Sequence, residues 1–153
     1  MALALSLAVV TPARAREKTS TMALGYSPLI SLERGGGEAP FGISLSASSV
    51  SRRIGIEGDF AFHRDEGLNT VTAAFGPRWE GGGPAASPFV HVMVLFRHDS
   101  LTGFSSNYGG VMAGLGVDMG GRKRARLRLA LDAQVIVSGE FYEFLRPTVG
   151  LSF

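Results

Sequence analysis

From Arg126 to Val137 the side chains alternate. Arg126, Arg128, Ala130, Asp132 and Gln134 fall on one parity, and Leu127, Leu129, Leu131, Ala133, Val135 and Val137 on the other. A repeat of two belongs to an extended strand, whose successive side chains point to opposite faces. Leu145 to Phe153 repeats the scheme, with Leu145, Pro147, Val149, Leu151 and Phe153 opposite Arg146, Thr148, Gly150 and Ser152. Each strand has one apolar and one polar face, so the fold must give the two faces different surroundings.

The same test applies along the whole chain. Thr21 to Leu32 sets Met22, Leu24, Tyr26 and Ile30 on one side, although Pro28 cannot donate to a ladder. A loop over Glu33 to Pro40 contains Gly35, Gly36 and Gly37. Phe41 to Ser49 opposes Phe41, Ile43, Leu45 and Ala47 to Gly42, Ser44, Ser46 and Ser48, and Ser51, Arg52 and Arg53 make a turn. Ile54 to His63 carries Ile54, Ile56, Phe60 and Phe62 against Glu57, Asp59 and His63. After a turn at Arg64 to Gly67, Leu68 to Glu80 sets Val71, Ala73, Phe75 and Trp79 against Thr72, Ala74, Gly76, Arg78 and Glu80.

Gly81 to Pro84 breaks the pattern before Ser87 to His98, where Val90, Val92, Val94 and Phe96 oppose His91, Met93, Leu95 and Arg97. This strand is apolar on both faces in its middle. Asp99 to Asn107 reads as a polar loop. Tyr108 to Asp118 then opposes Val111, Ala113, Leu115 and Val117 to Gly110, Met112, Gly114, Gly116 and Asp118. The sum is eight strands of roughly 9 to 13 residues, an even number of membrane length joined up-and-down. The expected fold is all-β, an eight-stranded antiparallel up-and-down transmembrane β-barrel.

Composition agrees. A chain of 153 residues is one domain by length. Its 21 glycines are about twice the usual share, which disfavours long helices. Fifteen basic against 13 acidic residues give +2, no sign of a nucleic-acid partner, and without cysteine there is no disulfide framework or thiolate chemistry. No apolar run reaches the ~18 residues of a membrane helix. Ala2 to Val10 followed by Ala13-Arg14-Ala15 reads as the apolar core and cleavage site of a secretory signal, residues 1–15, lacking its basic start. Residues 16–153 then form the barrel domain.

Which face points outward decides the class. With the apolar face inside, the chain would be a soluble periplasmic calycin-like barrel for a small apolar ligand. Its solvent face would then be rich in Gly and Ser and nearly free of Lys, since Lys123 is the only lysine after Lys18. Soluble surfaces use Lys and Glu freely. With the aliphatic face toward lipid, the small and charged residues fill the interior. There Glu57, Asp59, Glu80, Asp118 and Asp132 balance Arg78, Arg97, Arg126, Arg128 and Arg146, as a closed lumen requires because an unpaired buried charge is costly.

The final strand, ending on Phe153, resembles the assembly signal of bacterial outer-membrane β-barrels, with Val149, Leu151 and Phe153 as the signal residues. The order FGPRWE, SPFVHVMVLFRHD, a Gly-rich strand and LRPTVGLSF resembles the small eight-stranded outer-membrane barrels related to the transmembrane part of OmpA, over essentially the whole mature chain. The resemblance implies a place in the bacterial outer membrane, contact with its lipid and lipopolysaccharide, and recognition of the last strand by the barrel-assembly machinery. It also implies periplasmic termini and outward loops at Glu33 to Pro40, Arg64 to Gly67, Asp99 to Asn107 and Ser138 to Phe144. The expected role is structural or interactive, without catalysis, cofactor or metal. With nothing after Phe153, no cell-wall-binding domain is expected.

Other constellations are weaker. His98-Asp99-Ser100 resembles the His-x-Ser pair of the outer-membrane lipid A deacylase, but the position where that family's acid falls is Met112. His63 and His91, with Glu57 and Asp59, lack ligand spacing for a metal and read as hydrogen-bonded lumen residues. Arg122, Lys123 and Arg124 read as a turn near anionic headgroups. Trp79, Tyr26, Phe62, Tyr142, Phe144 and Phe153 fit interfacial aromatic girdles. A narrow channel remains an alternative, although eight strands leave an interior just wide enough for side chains.

Overall fold

The computed structural model describes residues 19–33, 38–39, 41–83, 85–121 and 125–153. The expected signal at 1–15, the glycines 35–37 and the cluster 122–124 lie outside the described residues. Ten strand segments follow in order: β1 (Thr19–Tyr26), β2 (Leu29–Ser31), β3 (Glu38–Ala39), β4 (Phe41–Ser51), β5 (Ile54–Asp65), β6 (Leu68–Glu80), β7 (Ala86–Leu101), β8 (Phe104–Met119), β9 (Arg126–Ser138) and β10 (Glu140–Ser152). The sheet order is β1-β4-β5-β6-β7-β8-β9-β10-β2-β3, all antiparallel, and β1 and β2 both pair with β10, which closes the sheet. The result is a closed eight-stranded up-and-down barrel.

The first strand is split where the missing N–H of Pro28 predicts trouble. The break falls at Ser27 and Pro28, yet the amide of Ser27 still donates to the carbonyl of Gly42 at 2.9 Å, so β1 and β2 act as one interrupted strand. Two expected loops are largely strand. β7 and β8 stay paired to Leu101 and Phe104, and β9 and β10 to Ser138 and Glu140, because Gly103 (φ 83°) and Gly139 (φ 74°) reverse the chain tightly. Likewise Asp65 pairs with Leu68 around Glu66 (φ 33°) and Gly67 (φ 99°), the positive angles of a two-residue hairpin turn.

The aliphatic face points outward along every long strand. Leu24, Ile43, Ile56, Phe75, Val92, Leu115, Leu131 and Val149 are exposed, while Ser46, Glu57, Arg78, His91, Asp118 and Asp132 are buried. The soluble barrel with an internal apolar pocket therefore fails: the chain is a membrane barrel whose core is its lumen. Thr19 and Phe153 mark one end, which also holds the turn at Arg52 and Arg53, and the hairpin turns at Glu66, Gly103 and Gly139 lie at the other.

Candidate functional site: the lumen

Period-two alternation on β5, β6, β8, β9 and β10 carries the ionisable side chains inward, and closure brings them together in the half nearer Phe153. The Arg78 guanidinium lies 3.0 Å from Glu57, 3.2 Å from Asp118 and 3.5 Å from Glu80. Arg128 donates from Nε and Nη2 to the two oxygens of Asp118 at 2.7 and 2.9 Å, a bidentate pair, and from Nη1 to Ser46 at 2.7 Å and Glu57 at 3.3 Å. Arg126 lies 3.9 Å from Asp118. Arg146, fully buried in the lumen, donates to Asp132 at 2.7 Å and Asp59 at 2.6 Å.

His91 joins the two groups. Its Nδ1 is 2.9 Å from Glu57 and its Nε2 is 2.9 Å from Asp132. Ionised carboxylates only accept, so the ring bonds both at once as the doubly protonated imidazolium. Phe89 lies between two cations, its ring centroid 3.8 Å from the Arg78 guanidinium carbon and 4.9 Å from that of Arg128. Its place on the inward parity of β7, two residues before His91, was the available signal for it.

Arg97 stands apart from this network. It donates to Asp99 at 2.8 Å, which also accepts from Thr70 at 2.7 Å, and its guanidinium covers the ring of Phe144 at 4.5 Å. It sits three inward positions beyond His91 on β7, so closure places it at the far end. The fifth cation of the main network is His91, an exchange that charge counting along the sequence misses.

Between these levels lies an apolar layer. Ala74, Met93, Leu95, Met112 and Ile136 are buried together, with Tyr108, Tyr142 and Phe144 packed against them. Tyr142 and Phe144 thus leave the expected girdle, because their parity on β10 is that of Arg146 and faces inward. Tyr26, Trp79 and Phe153 are exposed on the outside. Below the layer, the void lined by Ser44, Asp59, His91, Asp132 and Arg146 measures ≈ 20 Å³, room for about one water molecule.

His98 and Ser100 share the outward parity of β7. The nearest partner of the His98 ring is Asn107 Oδ1, 2.8 Å from Nδ1, and the Ser100 hydroxyl points to the Asn69 carbonyl at 3.5 Å. Met112, where the deacylase-like acid would fall, is buried in the lumen. His63 is buried in the far half, and no cluster of three metal-ligating side chains occurs among the described residues.

No protein-family model matches the chain, and no curated protein sequence matches it. Solved structures do. The N-terminal β-barrel domain of Pseudomonas aeruginosa OprF matches with a TM-score of 0.63 at 9% identity, covering 90% of this chain and 100% of that one. Neisserial surface protein A matches at 0.64 and 11% identity, over 87% and 94% of the two chains. The Yersinia pestis outer membrane protein Ail, in complex with the heparin analogue sucrose octasulfate, matches at 0.56 and 14% identity, over 90% and 100%. The chain shares the fold of these small bacterial barrels.

Proposed function

We propose, for a chain with the fold of the small outer-membrane barrels, that it is an integral barrel of the bacterial outer membrane with a structural or interaction role, a closed lumen and no catalytic activity. The observation that carries this reading is the network that bridges the lumen through Arg78, Arg128 and Arg146. A barrel held across its bore by the Arg78–Asp118, Arg128–Glu57 and Arg146–Asp59 ion pairs leaves no path for solute, and an eight-stranded interior has no width to spare. Its outer face suits lipid and lipopolysaccharide. Val149, Leu151 and Phe153 lie exposed on that face at the closing edge, where the barrel-assembly machinery would read them.

Ail binds a sulfated polyanion analogue, but the far end of this chain exposes Glu33, Glu66, Glu140 and Glu143 against Arg64 among the described residues. That balance favours neutral or cationic surface partners over sulfated polyanions of this kind, while lipopolysaccharide meets the aliphatic wall through its acyl chains. The test has two parts. A band that shifts on boiling in a denaturing gel is expected of the outer-membrane fraction. Planar-bilayer recording of the same preparation should give no stable open state; a reproducible single-channel current would overturn the closed-lumen reading.

A further inference from the structure

The lipid-facing wall carries a notch where β1, β4, β5 and β6 meet. Met22 pairs with Ala47, Ala47 with Gly58 and Gly58 with Phe75, so the row reads large, small, small, large. The resulting groove measures ≈ 760 Å³, and Ile56 and Phe153 complete its walls. Glycine is costly in a strand interior and usually marks a close backbone approach. Gly58 marks none: a Cβ there would meet only the Ala74 carbonyl, at 4.0 Å. Its effect on the barrel is the space it leaves outside.

Charge stands at the end of the same hairpin. Beyond Ser49 and Ile56 the chain turns through Arg52 and Arg53, both exposed at the Phe153 end. Five strand steps lead from Ala47 to Arg52, roughly 17 Å along the strand and about 13 Å along the bilayer normal at the tilt of a barrel strand. The hydrocarbon half-thickness of a bilayer is about 15 Å. A phosphate held at the turn would therefore lay its own acyl chain along the groove.

We propose that this groove and turn form a binding site for one anionic glycerophospholipid of the leaflet at the Phe153 end, its phosphate on Arg52 and Arg53 and an acyl chain over Ala47 and Gly58. The proposal rests on the membrane-barrel reading, and the experiment separates the two. The full chain is folded into detergent micelles, checked for the heat shift, and titrated with phosphatidylglycerol or phosphatidylcholine under native mass spectrometry. The wild type should retain phosphatidylglycerol about tenfold more strongly than phosphatidylcholine. Gly58→Leu and Ala47→Leu, each of which fills the groove, should lose the retained lipid, and Arg52→Gln with Arg53→Gln should lose the preference for the anionic headgroup. Each variant is compared only after showing the same heat shift. Equal retention by wild type and both groove variants, or no preference for phosphatidylglycerol, would overturn the site. A dimer that disappears in Gly58→Leu would overturn it in favour of a second copy of the chain. A wild type without a heat shift would instead remove the barrel reading itself.

Discussion

The ionic network and the apolar layer beside it fill the same bore by opposite means. Near Phe153, Arg78, Arg128, Arg146 and His91 fill it with interlocking charge; beyond them Met93, Leu95, Met112 and Ile136 fill it with hydrocarbon. The ionic half is directional, and each member depends on an identified partner. The apolar layer between that network and the Arg97–Asp99 pair has one directional contact, from the Gln134 amide to Met112 Sδ at 3.5 Å, and otherwise depends on volume. One closed barrel thus contains a region intolerant of any single deletion beside one that accepts substitution of like size.

The largest expected effect is in the ionic half. Arg146→Ala strands Asp59 without its cation and leaves Asp132 with His91 alone, and loss of one partner from a buried pair costs about 3–5 kcal/mol. Urea unfolding in phospholipid vesicles measures it. Met112→Ala opens a cavity in the apolar layer and should cost about 3 kcal/mol in the same titration, near the middle of the range for Met→Ala in a core. Equality of the two would weaken the contrast between the halves.

Gly114→Ala probes the boundary. A Cβ at Gly114 would run into the carboxylate of Asp132 and the ring of His91. Crowding of this kind should cost about 1–3 kcal/mol, and the ring resonances of His91 should move in the folded protein. Met93→Leu, which nearly conserves volume, should cost less than about 1.5 kcal/mol. The smallest effect is on conductance: Arg146→Ala alone, or Met93→Ala alone, should remain silent in planar bilayers, because the other half still fills the bore. A current from either single variant would show that one half carries the seal.

Much of this was legible along the chain. Alternation separates the wall residues from the lumen residues on β5, β6, β7 and β9, and it separates Arg146 from Leu145 on β10. The differences between chain and fold are local. Closeness to a strand end groups Tyr142 and Phe144 with interfacial aromatics, although parity places them inside. The segments 99–107 and 138–144 read as loops because polar side chains dominate them, but a hairpin rim is polar whether or not its backbone is paired. One exchange in the ionic network was not legible, since charge counting weighs Arg97 and Arg126 alike and passes over His91.

The sequence by itself determined the strands, their faces and the balance of charge between them, because a period of two is a property of consecutive residues and needs no partner. Tertiary structure alone decided which charges meet. Arg146 reaches Asp59 across 87 positions and Arg128 reaches Ser46 across 82, contacts that exist only once the first and last strands pair. Closure and stagger set the height of each side chain in the bore, so they placed His91 between Glu57 and Asp132 and left Arg97 to Asp99.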